Sequence, residues 1–133
     1  MRFVSWNVNG LRAAIRKGID GYFDDLKADV MMLQETRVLE EQLPKNWAWP
    51  AGWDVTLHPA EKKGYSGVAT ASTQPHAVVA RGKGGALDSD DQEGRVLVCE
   101  VNGVVCVNTY LPSGSNKDAV SYTHLTLPTK QMV

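Results

Sequence analysis

Apolar and polar residues alternate along the first stretch of the chain, where Val4, Trp6 and Val8 interleave with Phe3, Ser5 and Asn7. A period of two marks a strand, because successive side chains point to opposite faces. The far end of this strand, Asn7-Val8-Asn9-Gly10-Leu11-Arg12, turns polar and then basic. From Arg12 to Ala28 the apolar positions Ala13, Ala14, Ile15, Ile19, Tyr22, Phe23 and Leu26 are spaced for helix. Gly18 and Gly21 are expected to break that helix in two. Asp20 would cap the second piece, and Ile19, Phe23 and Leu26 would share its inward face. Asp29-Val30-Met31-Met32-Leu33-Gln34-Glu35-Thr36 then repeats the opening design, an apolar run ending in an amide and a carboxylate. A connection of this length between two apolar strands predicts a parallel crossover. Asn7 and Glu35 then share one sheet edge, the edge at which open α/β sheets hold ligands.

Residues 38–52, with Pro44 and Pro50, read as a loop containing one helical turn, and Trp47, Trp49 and Trp53 are expected to cap the core. Strands are predicted over Asp54 to His58 and Gly67 to Ser72, joined by Glu61 to Ser66 as a hairpin with an exposed tip. Another strand, His76 to Ala80, follows Pro75. Arg81 to Gly85 and Asp88 to Gly94 make up the longest polar interval, a surface loop. The clearest hairpin runs from Arg95 to Tyr110 about Asn102-Gly103. A two-residue turn there sets Val101 opposite Val104, Cys99 opposite Cys106 and Arg95 opposite Tyr110. Leu97, Cys99, Val101, Val104 and Cys106 fall on one face, and Val96, Val98, Val105 and Val107 on the other. Two apolar faces call for cover on both sides, as in a layered α/β sandwich.

At 133 residues and 14.5 kDa, the chain can form one domain with a real core, and 43% hydrophobic with 22% charged residues excludes disorder. No apolar run approaches the ~18 residues of a membrane span, and the N-terminus carries no secretory signal. No membrane partner is therefore expected, and the cytoplasm is the expected compartment. A net charge of -1 gives no global attraction to nucleic acid, so any such binding must come from a local patch. The facing cysteines are placed for a disulfide, but a reducing compartment and their apolar strands favour free, buried thiols.

Asn7 and Glu35 offer hard oxygen atoms, and no Cys/His cluster exists for zinc; His58, His76 and His124 are scattered. A carboxylate and an amide completed by water suit Mg²⁺ or Mn²⁺. Taken alone, the two positions are better read as a cap for the following helix and a surface ion pair. Arg12, Arg16 and Lys17 line one side of a short helix, either as a solvated basic face or as a phosphate-neutralising one. Gly64-Tyr65 is either a turn with a resting aromatic or a tip that approaches a nucleic-acid backbone. Tyr110 leaves its strand where a loop begins, as a core tyrosine or as a hydrogen-bond donor to phosphate.

Five pieces in order change that balance. Ser5 to Arg12, Leu33 to Thr36, Lys63-Gly64-Tyr65-Ser66-Gly67-Val68, Asp91 to Val96 and Tyr110-Leu111-Pro112-Ser113-Gly114 together resemble the exonuclease III and apurinic/apyrimidinic endonuclease family, within the endonuclease/exonuclease/phosphatase superfamily. The resemblance covers Arg2 to Asp118. It implies a Mg²⁺-dependent phosphodiesterase (Mn²⁺ an alternative) that incises double-stranded DNA 5′ to abasic sites and trims 3′ ends, working as a monomer when full length. By position, Glu35 is similar to the metal-binding glutamate and Asn7 to the active-site asparagine that supports metal and phosphate. Tyr110 resembles the tyrosine that contacts the scissile phosphate. Arg12, Lys17, Gly64, Tyr65 and Arg95 fall on DNA-contacting positions. Asn9 stands where some relatives carry a metal-linked aspartate.

The family's later Gly-Asp-x-Asn motif and terminal Asp-His pair, which supply the base or proton donor, do not occur here. The expected fold is thus α/β, the N-terminal half of a four-layer sandwich with a mixed sheet and covering helices, truncated at about residue 118. Residues 119–133 resemble translated sequencing-adapter read-through rather than evolved protein. On this reading the chain is inactive alone. The alternatives are a non-catalytic DNA-binding fragment, or a superfamily phosphatase acting on lipid or nucleotide phosphates. Asp91 to Arg95 and Gly64 to Gly67 argue against the phosphatase.

Overall fold

A computed structural model of the chain describes residues 1–82 and 93–111. Most of the long polar interval, the Pro112-Ser113-Gly114 loop and the tail 119–133 lie outside the described residues. Strand β1 (Phe3–Asn7) is joined to β2 (Val30–Gln34) through helices α1 (Leu11–Arg16) and α2 (Ile19–Asp25). The two strands are parallel, with Phe3 opposite Val30 and Asn7 opposite Gln34, as the crossover predicts.

The helical connection breaks once, at Gly18, whose φ of 86° reverses the chain. Gly21 lies inside α2. Its helix cost of ~1 kcal/mol is offset by burial of Ile19 and Phe23, each 1% exposed. Asp20 does not cap α2. It occupies the first turn, favourably placed toward the helix dipole, and accepts a hydrogen bond from Trp47 Nε1 at 2.9 Å. A single left-handed glycine already stops α1, so a second break and a side-chain cap are unnecessary.

β3 (Asp54–His58) and β4 (Val68–Ser72) complete the first sheet in the order β1-β2-β4-β3. β5 (His76–Arg81), β6 (Val96–Val101) and β7 (Val104–Thr109) form a second, antiparallel sheet. The β6–β7 register follows from the Asn102-Gly103 turn, with φ of 49° and 80° at its two residues. Cys99 stands opposite Cys106, and both thiols are free and buried. Burial pushes the Cys99 thiol up to about 11, with the neighbouring Cys106 adding to the shift.

Met31, Leu33, Ala69 and Ala71 pack with Leu11, Ile19 and Phe23 on one face of the first sheet, where Trp49 and Trp53 close the end. The opposite face supplies Val30 and Met32 against Val101 and Cys106, and Val68 against Leu97 and Cys99. Helices, first sheet and second sheet are therefore stacked as three layers, a partial mixed α/β sandwich. Asn108, 1% exposed, crosses between the sheets. Its Nδ2 donates to the Leu33 and Ala69 carbonyls at 3.2 and 2.9 Å, and its Oδ1 accepts from Gln34 Nε2 at 2.9 Å. Among the described residues no layer covers the outer face of the second sheet, where Val79, Val105 and Val107 are exposed, as part of a sandwich without its remaining layers would leave them. Among the described residues, no helix is long and apolar enough to cross a membrane.

Candidate functional site

The parallel ladder does not stop where β1 and β2 end. Val8, Gly10 and Leu11 N–H groups donate to the Gln34, Glu35 and Thr36 carbonyls at 3.0, 2.8 and 2.8 Å. On the other flank, Thr36 and Arg37 N–H groups donate to the Gly67 and Ser66 carbonyls at 3.0 and 2.8 Å, and Gly67 N–H donates to Gly94 at 3.1 Å. This grip holds Glu35 and Arg37 at φ of 59° and 54°, left-handed values uncommon for such side chains. Positive φ also occurs at Asn9 and Ser66, so four of the six non-glycine residues with positive φ among the described residues lie at this sheet edge. Two glycines are required for close approach. A Cβ on Gly67 would overlap Thr36 Oγ1, and one on Gly94 would lie 2.5–2.7 Å from backbone atoms of His58, Pro59 and Ala60.

Asn7 Oδ1 accepts the Asn9 N–H at 2.9 Å, an Asx-type turn that bends the chain off β1. The amide therefore caps a turn and not α1, whose N-cap Gly10 has no side-chain bond. Glu35, its side chain 14% exposed, forms a direct ion pair with Arg37, whose side chain is 45% exposed. Tyr110 N–H donates to the Arg95 carbonyl at 2.8 Å, as the hairpin register predicts. The phenol packs on the Val68, Leu97 and Cys99 cluster. Its pKa is raised, first by burial and next by the Glu35 carboxylate, while Arg37 and Arg95 oppose the rise. Arg95 also pairs with Glu93 at 2.9 Å.

Beside this group lies a groove of about 500 Å³ lined by Asn9, Gly10, Arg12, Arg16, Arg37 and Gly64, among others. Three guanidinium groups in one groove make a local cationic patch on a chain of net charge -1. Thr36, on the groove wall, has a buried Oγ1 without a hydrogen-bond partner among the described residues. Lys17 does not join Arg12. It lines a separate hollow of about 240 Å³ with Trp6, Val8 and Tyr22. Tyr65 is exposed at the hairpin tip, with Lys62 Nζ 4.2 Å from its ring centroid.

Among the described residues no group of three or more His, Cys, Asp or Glu side chains gathers to hold a metal. What the edge offers is one carboxylate, Glu35, and the amide oxygen of Asn7, each with acceptor capacity beyond its present partner. That donor set fits a hard cation that keeps most of its waters, and no softer ion. Arg37 and Asn108 are the functional candidates that sequence reasoning missed. The only signal for Arg37 was its place two residues after Glu35.

A model of the Endonuclease/Exonuclease/phosphatase family matches residues 4–128. An exodeoxyribonuclease of Bacillus subtilis (strain 168) is 40% identical over 114 residues, covering 85% of this chain and 43% of that protein. A DNA-(apurinic or apyrimidinic site) endonuclease of Dictyostelium discoideum is 31% identical over 117 residues, covering 88% of this chain and 32% of that protein. Among solved structures, the AP endonuclease LMAP from Leishmania major superimposes with a TM-score of 0.71 at 26% identity, over 90% of this chain and 43% of that one. The Xenopus laevis APE2 catalytic domain gives 0.68 at 30% identity, over 85% and 46%. The chain thus spans 32–46% of the length of these relatives.

Proposed function

We infer that this chain, which belongs to the endonuclease/exonuclease/phosphatase family, forms the phosphate-facing part of a DNA repair nuclease that hydrolyses phosphodiesters 5′ to abasic sites and at 3′ ends. The observation that carries this reading is the Glu35–Arg37 ion pair at the wall of an arginine-lined groove, with Tyr110 hydrogen-bonded through its backbone to Arg95 on the hairpin behind it. Relatives that act on DNA supply the substrate class.

In this reading Glu35 and Asn7 hold Mg²⁺ or Mn²⁺, which would neutralise charge on the phosphate. Tyr110 keeps its proton, because burial and the Glu35 carboxylate both oppose phenolate, and so donates to a phosphate oxygen. Arg95, just before β6, is bonded to it through the backbone. Arg12 and Gly64 face the DNA backbone from the groove, Lys17 extends the positive surface past α1, and Tyr65 reaches out from the hairpin tip. None of these groups is a base for the attacking water, and the sequence contains no Gly-Asp-x-Asn motif to provide one. The 133-residue chain is therefore expected to bind and not to cut.

A duplex carrying one abasic-site analogue, tested for retention and incision with Mg²⁺ and with EDTA, decides the point. Salt-sensitive retention, weakened by Arg12→Ala and without incision, is expected. Incision by this chain would overturn the assignment of the missing base, and absence of retention would overturn the DNA reading.

A further inference from the structure

We propose that Arg37 is an exchangeable counter-ion: it holds the Glu35 carboxylate until a divalent cation takes it, and is then handed to the arginine-lined groove, so that metal loading and phosphate binding are coupled. The inference rests on the reading that Glu35 is the metal-binding carboxylate.

The backbone of the pair is hydrogen-bonded on both flanks. Glu35, Thr36 and Arg37 are pinned between Gly10 and Leu11 on one flank and Ser66 and Gly67 on the other, with Thr36 fully buried. The two charged residues, at φ of 59° and 54°, flank that anchor. The pair can therefore open only by rotation of side chains, and the exposed guanidinium of Arg37 is the partner with room to rotate.

Its destination already exists. Arg37 lines the groove with Arg12 and Arg16, and its Cδ lies 4.0 Å from the position a Cβ would take on Gly10. Without an anion there, Arg37 lines the groove while still paired to Glu35, and the positive charges of Arg12 and Arg16 oppose its moving further toward them. A phosphate in the groove reverses that preference. On the carboxylate, a guanidinium and a divalent cation at contact distance repel each other, so binding of the cation loosens the hold on Arg37. The pair is open to water on its Arg37 side, 45% exposed against 14% for Glu35, so the guanidinium can exchange its partner for water or an anion. Coupling between two sites is reciprocal, so an anion in the groove must in turn raise affinity for the metal.

The test uses the 133-residue chain with ¹⁵N-labelled arginine, titrated with Mg²⁺ alone, while the Arg37 Nε–Hε resonance is followed. That resonance is assigned by its loss in Arg37→Lys. It is expected to move with the same midpoint as Mg²⁺ binding measured by calorimetry. Arg37→Met should bind Mg²⁺ about tenfold more tightly, within the usual range of such couplings. Added inorganic phosphate should tighten Mg²⁺ binding in the wild type and not in Arg37→Met. Mg²⁺ binding that leaves the Arg37 resonance in place, or that is no tighter in a folded Arg37→Met, overturns the proposal. The resonance needs no folded Met variant to be decisive. Glu35→Gln separates the two claims: if it binds Mg²⁺ as well as the wild type, the metal reading itself is wrong.

Discussion

Gly94 and Gly103 both sit at positive φ, yet their surroundings differ completely. A methyl on Gly103 meets nothing within 4 Å, whereas on Gly94 it meets three backbone atoms that have no rotamer in which to retreat. Gly103→Ala is therefore expected to cost about 1–2 kcal/mol, the left-handed penalty alone. Gly94→Ala should cost ~3 kcal/mol or more, because overlap adds to it. Urea denaturation of the two variants checks the difference. Tyr110 offers a second measurement at this scale. Its phenol should ionise above the ordinary value near 10, read as the 295 nm absorbance difference between wild type and Tyr110→Phe. Glu35→Gln should lower that midpoint and Arg37→Met raise it, since the carboxylate disfavours phenolate and the guanidinium favours it. A folded-state pKa raised above the unfolded one means that the proton's contribution to stability is complete below pH 10 and is lost as pH rises through the folded value.

Among the strands, the decisive contact is made by an amide. Asn108 donates to both Leu33 and Ala69 carbonyls and accepts from Gln34, so it joins β7 to the centre of the first sheet, one residue from Glu35 and two from Tyr110. Asn108→Leu should lower stability by about 3 kcal/mol, since the amide of Gln34 loses its inter-sheet acceptor. A shifted urea midpoint with unchanged slope would show this. Much at this scale was readable from the chain. The alternation from Phe3 to Asn7, the length of the crossover and the Asn102-Gly103 turn each have a single physical reading, and together they place Asn7, Glu35, Arg95 and Tyr110 at the ends of their strands. The roles of Arg37 and Asn108 were not readable. Arg37 reaches Glu35 from a segment with two positive φ values that neither residue type announces, and Asn108 is a polar residue on an inward face whose partners lie 38 to 75 positions away. The single break at Gly18 was half legible, because Gly21 carries the same signal and is overridden by the packing of Phe23.

The three layers leave an apolar sheet surface uncovered among the described residues, centred on Val105 and Val107, at 58% and 43% exposure. Valines there contribute little to the fold and much to non-specific contact. Val105→Lys combined with Val107→Thr should leave stability within about 0.5 kcal/mol, while reducing dye binding to exposed apolar surface and mass-dependent sedimentation. The link from Gln34 to Asn108 has a further consequence, for synthesis on the ribosome. The two residues are 74 positions apart, which at typical elongation rates separates their emergence by roughly 4–15 s. Through that interval the strand bearing Glu35 is already out while its inter-sheet clamp has not been made. The edge that carries the candidate site residues is thus held to the second sheet only once β7 has emerged, and a holdase that shields Val30 and Met32 during those seconds would cover the face that later packs on Val101 and Cys106.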